Sequence, residues 1–136
     1  MKNILQKNGY KVTPARLAIL QIFYKNHTPL DAETVYRKLK NRKTNSKINE
    51  VTVYRTLSAF EKTGILRRVN LKKDSACFEL NNDHHHHIVC IKCHTVEIFR
   101  NSAIEKVLER IVENSLKFKK VKEHSLELFG LCVKCS

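Results

Sequence analysis

The sequence predicts an α+β protein in two parts: a winged helix-turn-helix, followed by a small β-β-α-β module. Helical apolar periodicity with clear helix caps fills the first part, and two short strand-like runs close it. A run of histidines and cysteines then introduces a second set of short strands around one further helix. The chain has 136 residues, which leaves room for two small cores but not for two large ones.

Helix caps define the elements of the first part. A short helix is predicted within residues 2–10. Thr13 as N-cap, with Pro14 at the first helical position, begins the second helix, and Asp31 caps the third. The third helix ends in the polar turn KNRKTNSK. Asn49 begins a fourth helix, which ends before Gly64.

The runs ILRRVNL and ACFEL, joined by KKDS, predict a β-hairpin after the fourth helix. Helices followed by a hairpin are typical of a winged helix-turn-helix, whose last helix enters the major groove of DNA. The face of the fourth helix opposite its core stripe carries Thr52, Arg55 and Thr56, with Tyr54 beside it. A formal net charge of +13 favours nucleic acid as the partner over an anionic membrane surface.

The second part begins after a polar bridge. We expect a first domain at residues 1–80, a hinge at 81–83 and a second domain at 84–136. Two β-type runs, HIVCI and TVEIF, precede a helix predicted from about Asn101 to Phe118, where Ser102 and Glu105 form a capping-box pattern. HSLELFGLC supplies the last strand. A small sheet with an exposed edge favours pairing with a second copy of the chain, so we expect a homodimer.

Cysteines give the strongest chemical signal. Two Cys-x-x-Cys pairs supply four thiols, Cys90, Cys93, Cys132 and Cys135. One such pair can be redox-active, whereas two pairs are typical of a closed tetrahedral zinc site. The N-terminal MKNILQKNGYK has no apolar core region or cleavage signature, and no apolar run is long enough to cross a bilayer. We therefore expect a cytoplasmic protein with reduced cysteines that bind metal.

Four consecutive histidines precede the first cysteine pair. If this stretch is extended, alternate side chains point to opposite faces, with His85 and His87 on one face and His84 and His86 on the other. One strand would then serve two different metal sites. Each site needs further ligands, and the candidates are Glu79, Glu105 and His124. The alternative is a solvated polar run without a metal.

Four motifs together resemble the ferric uptake regulator (Fur) family: GYKVTPAR, EVTVYRTL, HHHHIVCIKC, and HSLELFGLC followed by Cys-x-x-Cys. The resemblance covers residues 9–135. It implies a dimeric, metal-dependent transcription repressor with an N-terminal winged helix and a C-terminal dimerisation domain.

The resemblance also implies residue roles. The structural zinc ligands would be Cys90, Cys93, Cys132 and Cys135. The ligands of a sensory site at the hinge would be Glu79, His85 and His87. The ligands of a further site in the dimerisation domain would be His84, His86, Glu105 and His124. The positions that contact DNA would be Lys11, Arg16, Tyr54 and Arg55.

Two departures from the family pattern bear on the regulatory metal. Pro29 stands where iron- and peroxide-sensing members have a histidine, so the fourth hinge ligand is left open among His27, Cys77, water or none. The unbroken HHHH resembles zinc-uptake regulators. We therefore expect zinc as the regulatory metal, with iron, manganese or peroxide sensing as alternatives. Metal joining Glu79 to His85 and His87 would fix the angle between the two halves.

Two other classes of protein compete with a regulator. A zinc hydrolase would need an open coordination position and a base, yet the sequence has no H-E-x-x-H motif and no paired nucleophile. A metal-buffering or redox-thiol protein would leave the winged-helix half unexplained. We expect a regulator and not an enzyme.

Overall fold

A computed structural model describes residues 1–43 and 47–136, which form two compact units, unit 1 (Met1–Asp83) and unit 2 (His84–Ser136). The predicted KNRKTNSK turn includes residues 44–46, which lie outside the described residues. Within the described ranges, every helix is too short or too polar to cross a membrane.

Unit 1 is built on helices that begin where their caps predict. The helices are α1 (Lys2–Lys7), α2 (Pro14–Lys25), α3 (Ala32–Lys40) and α4 (Glu50–Lys62). The side chains of Thr13, Asp31 and Asn49 each accept a hydrogen bond from a backbone amide in the first turn of α2, α3 and α4, respectively. After α4 the chain reverses at Gly64, where a φ of 77° favours glycine.

The predicted hairpin is present as β2 (Leu66–Val69) and β3 (Cys77–Leu80), paired antiparallel. A two-residue strand, β1 (Leu30–Asp31), which the sequence did not predict, pairs with the other edge of β3 and gives the order β1-β3-β2. Helices and sheet enclose one apolar core, whose fully buried members include Leu5, Ile19, Leu20, Ile22, Leu39, Val53, Leu57, Phe60 and Leu66. The predicted winged helix-turn-helix is confirmed.

Unit 2 has the predicted β-β-α-β order: β4 (His86–Cys90), β5 (Val96–Phe99), α5 (Ser102–Glu113) and β6 (Glu127–Gly130). The central strand is β4, which runs antiparallel to β5 and parallel to β6. Because β4 has a neighbour on both sides, its side chains meet those of two other strands on each face.

The helix of unit 2 begins where it was predicted, but its cap and its C-terminal end differ from the prediction. Asn101 is the N-cap, accepting hydrogen bonds from the Ala103 and Ile104 amides, so the predicted Ser102–Glu105 capping box is wrong. The helix ends at Glu113 and does not reach Phe118. The Ser115 hydroxyl accepts bonds from the amides that follow it, which stabilises a turn in place of another helical turn.

Asp31 connects α3 to the loop between β2 and β3. Its carboxylate accepts hydrogen bonds from the Thr34 amide at 2.8 Å, from Lys73 Nζ at 3.2 Å and from Ser75 Oγ at 3.2 Å. Burial opposes ionisation of this carboxyl, but the bonds from Thr34 and Lys73 outweigh it and lower the Asp31 pKa to about 2. The ionised carboxylate therefore stabilises the folded unit.

We predict that Asp31→Asn lowers the free energy of unfolding by about 2 kcal/mol at pH 6, since asparagine keeps the cap but loses the charge. The folded pKa lies below the unfolded value of 3.8, so the contribution is complete above pH 3.8 and disappears as the pH falls towards 2. Urea unfolding at several pH values measures this. Asp74→Asn, at an exposed position in the same loop, is the control. A pH-independent difference would contradict the assignment.

Candidate metal centres and nucleic-acid interface

The outer face of α4 carries the side chains selected for DNA contact. Tyr54 is 52% exposed and Arg55 is also exposed, while their neighbour Val53 is fully buried. Thr52 is half-buried, and its hydroxyl donates to Asn49 Oδ1 at 2.8 Å, reinforcing the cap. Thus α4 buries one face in the core and presents an aromatic and a cationic side chain to solvent.

Two further candidates are Lys11, just before α2, and Arg16, in the first turn of α2. Arg16 donates from Nη1 to the Lys11 carbonyl at 2.9 Å, and its guanidinium stacks 4.9 Å from the centre of the Tyr10 ring. The Tyr10 hydroxyl donates to the Ala59 carbonyl of α4 at 2.7 Å. Tyr10 therefore attaches this basic segment to α4, the helix whose exposed face carries Tyr54 and Arg55.

The two cysteine pairs meet in unit 2. The sulfur atoms of Cys90, Cys93, Cys132 and Cys135 all lie within 4.8 Å of one another. The first pair sits on a tight turn after β4, closed by the His94 amide donating to the Cys90 carbonyl at 2.9 Å. The second pair sits on a similar turn, closed by the Cys135 amide and the Cys132 carbonyl at 2.9 Å.

The geometry of this cluster fits a tetrahedral metal ion. The sulfurs of Cys93 and Cys132 are 3.7 Å apart. Zinc–sulfur bonds of about 2.3 Å in a tetrahedron place two sulfurs roughly 3.8 Å apart. Backbone amides of Cys93 and Cys132 lower the Cys90 pKa to about 6, whereas the adjoining thiols of Cys132 and Cys93 raise the Cys135 pKa to about 12. A divalent cation is the group that allows all four to ionise together.

A second cluster of unit 2 joins the even-numbered histidines to α5. It comprises His84, His86, Glu105 and His124, whose ligand atoms lie within 4.8 Å of one another. The Glu105 carboxylate is 2.5 Å from His86 Nε2, 3.2 Å from His84 Nε2 and 3.0 Å from His124 Nε2. The hydrogen bond with His86 lowers the Glu105 pKa most and burial opposes it, while the hydrogen bond with His84 and the electrostatic attraction of His124 lower it further. Imidazoles converging on one carboxylate are a donor set suited to a divalent metal.

The odd-numbered histidines point the other way. The His85 and His87 rings lie 4.9 Å apart, centre to centre, so the alternation expected of extended backbone is present. Glu79, grouped with them in the sequence analysis, lies in unit 1, where its buried carboxylate accepts from Arg67 Nε at 2.6 Å. A hinge site that joins the three stays a prediction.

Glu127 was not selected from the sequence. Its carboxylate lies 4.0 Å from His87 Nδ1. The alternating pattern of HSLELFGLC could have indicated Glu127, because in a strand its side chain points to the face opposite that of Leu126 and Leu128.

The two candidates for a fourth hinge ligand are found in different surroundings. His27 is exposed after the end of α2. Cys77 is buried at the start of β3, and this burial raises its thiol pKa. Neither residue belongs to a cluster of three metal-binding side chains within the ranges that the structure describes. Cys77 therefore has the surroundings of a small core side chain.

DNA recognition by a winged helix and metal coordination in one short chain are the attributes of a metal-responsive transcription regulator. That is the class which the fold and the clusters define. Within it, the chain belongs to the ferric uptake regulator family, whose family model matches residues 7–129. Members of this family are transcriptional regulators, and this favours a regulator over the hydrolase alternative.

Individual relatives agree with this assignment. The chain is 40% identical over 133 residues to the ferric uptake regulation protein of Neisseria gonorrhoeae, covering 96% of this chain and 90% of the relative. The ferric uptake regulator of Francisella tularensis, solved with iron, shares 36% identity at a TM-score of 0.80 and covers 93% of this chain and 95% of its own. The regulator of Pseudomonas aeruginosa, solved with manganese, shares 32% identity at a TM-score of 0.82, covering 98% of each chain. These matches do not show the predicted closeness to zinc-uptake regulators.

We predict that the purified protein retains one tightly bound zinc ion per chain and that Cys132→Ser loses most of it, because a serine hydroxyl is a poor replacement for a thiolate ligand. Metal analysis after dialysis against a weak chelator measures the retained zinc. Cys77→Ala, which removes the thiol outside the cluster, should retain zinc at the wild-type level. Equal zinc retention in both variants would contradict a four-cysteine site.

Proposed function

We propose that this protein is an iron-responsive repressor that binds operator DNA as a homodimer when its regulatory metal is bound. The observation that carries the proposal is the convergence of three histidines on Glu105, the carboxylate that α5 extends towards β4. Metal ligation there would join α5 to the sheet of unit 2. The four cysteines would hold a permanent structural zinc.

The relatives favour iron over the zinc that the histidine run suggested, and the donor types of the cluster permit it. The cluster around Glu105 offers imidazole and carboxylate but no thiolate. Such donors suit Fe(II), Mn(II) and Zn(II), so the ligands alone leave the choice open. The named relatives are ferric uptake regulators, and this supports iron. Manganese is the second candidate, since the Pseudomonas aeruginosa regulator was solved with it.

The exposed surface of α5 supports a homodimer. None of its residues is buried, and Val107 and Ile111, on one side of the helix, are 52% and 61% exposed. Apolar side chains at this spacing form a stripe that a second copy of the same chain can cover. Glu105 lies on the same helix. Metal ligation by Glu105 would therefore stabilise the helix that forms the dimer surface.

A hinge site would connect metal to DNA binding. Glu79 lies near the end of unit 1, while His85 and His87 begin unit 2, so only a short polar segment separates them in the chain. A metal held by all three would fix the angle between the units. In a dimer, this angle sets the separation of the two α4 helices, which must match two half-sites on DNA. Metal and DNA would then strengthen each other's binding by the same factor.

The DNA-facing surface of unit 1 supports operator recognition. Major-groove contacts would come from the exposed face of α4, and phosphate contacts from the basic segment that Tyr10 holds beside it. We propose the contacts to be Lys11, Arg16, Thr52, Tyr54 and Arg55. Phosphate contacts would supply affinity, and contacts from α4 would supply selectivity.

We predict that Fe(II), under anaerobic conditions, tightens operator binding at least tenfold and that His85→Ala and His87→Ala abolish this increase. Each variant removes one imidazole ligand of the hinge site. Titration of labelled operator with Fe(II), Mn(II), Zn(II) or chelator measures the effect. His94→Asn is the matched control, because asparagine tolerates the φ of 58° at this position. Operator binding that is equally tight in chelator would refute metal-dependent repression.

We also predict that Arg55→Ala weakens operator binding tenfold or more and leaves thermal stability unchanged, because this side chain is exposed. Lys62→Ala, which removes a positive charge at the far end of α4, is the control for general electrostatics. The two variants should bind operator DNA with different affinities but bind unrelated DNA with similar affinities. If they weaken operator binding equally, α4 does not read bases through Arg55.

A further inference from the structure

We propose that Glu127 is an additional metal ligand beside His85 and His87, so that unit 2 alone offers this site two imidazoles and a carboxylate. The inference deepens the proposed metal-dependent function and rests on it. In the parallel pairing of β4 with β6, Glu127 is the direct partner of His87. Their side chains therefore leave the sheet on the same face.

The distance between the two side chains is close to that of two donor atoms that share one metal ion. His87 Nδ1 and Glu127 Oε1 are 4.0 Å apart, which is too far for a hydrogen bond. Metal–ligand bonds of about 2.1 Å place neighbouring donors roughly 3.0–3.5 Å apart. The carboxylate would therefore need to move towards His87 by only about 0.5–1 Å. Both side chains are shielded from solvent, at 3% and 17% exposure, so a charge between them is worth more than at the surface.

The strand register places the Glu127 carboxylate on the same face of the sheet as His87. On the other side of β4, the partner of His87 is Ile98, which has no donor atom. The other carboxylate within the three strands is Glu97, which pairs with Ile88 and is exposed. Because Ile88 and His87 are consecutive in β4, Glu97 belongs to the opposite face.

This ligand would affect both the order of assembly and the choice of metal. Unit 2 would bind the metal first through His85, His87 and Glu127, and Glu79 of unit 1 would join afterwards. With both carboxylates the donor set contains as many oxygen as nitrogen ligands. Mn(II) and Fe(II) prefer carboxylate-rich sites, whereas zinc is typically bound by softer thiolate ligands. Glu127 would therefore bias the sensory site towards iron.

The test is metal affinity in the full-length chain carrying His124→Ala, which disables the cluster around Glu105. Fe(II) and Zn(II) affinities are measured anaerobically by competition with a chelating dye. Adding Glu127→Gln should weaken Fe(II) binding tenfold or more and Zn(II) binding less, because a neutral amide replaces a carboxylate. Glu127→Asp keeps the charge but shortens the reach, and should give an intermediate loss.

Glu97→Gln, the same change on the opposite face, should leave both affinities within twofold of the His124→Ala parent. Unfolding of the metal-free variants checks that the fold is retained. If Glu127→Gln matches Glu97→Gln while His87→Ala loses Fe(II), the inference about Glu127 is overturned and the proposed function stands. If the parent binds Fe(II) no better than His87→Ala does, the sensory site itself fails, and this inference fails with it.

Discussion

The central position of β4 in unit 2 is the constraint on which the metal chemistry of this protein depends. β4 pairs with β5 on one side and with β6 on the other, so its backbone cannot rotate without breaking two ladders. Its alternation then sends consecutive histidines to opposite faces, and its end leads directly into the first cysteine pair. One rigid strand thus supplies side chains to each candidate metal-binding cluster of the unit.

Unit 2 has little apolar core, and most of its buried side chains are candidate metal ligands. Its buried residues, within the described part of the chain, are His86, His87, Val89 and Cys90, all from β4. Three of these four carry metal-binding atoms where a larger domain would place apolar side chains. A unit with so little apolar burial needs additional stabilisation, and metal ligation at the proposed sites would provide it as folding free energy. The proposed metal sites and the folding of unit 2 would then depend on the same residues.

Unit 1 is stabilised in the opposite way. Its buried residues are predominantly leucine, isoleucine, valine and phenylalanine from all four helices and the sheet. The side chains that cap its helices bond to amides three residues further along the same chain segment. This core contains no cluster of metal ligands among the residues that the structure describes. The fold of the winged helix therefore does not rest on a metal cluster in its core. In the proposed dimer, metal would act on the placement of two such units and leave the fold of each intact.

The sequence by itself determined the features that arise from neighbouring residues. The caps at Thr13, Asp31 and Asn49, the alternation of the histidines and the spacing within each Cys-x-x-Cys pair all depend on local spacing, which fixes side-chain direction within one element. Tertiary structure decided the rest. The added strand β1 and the approach of Glu127 to His87 both depend on pairing between segments distant in the chain. Local periodicity gives the face that each side chain takes but not which distant strand lies beside it, because that pairing is decided by how whole elements pack together.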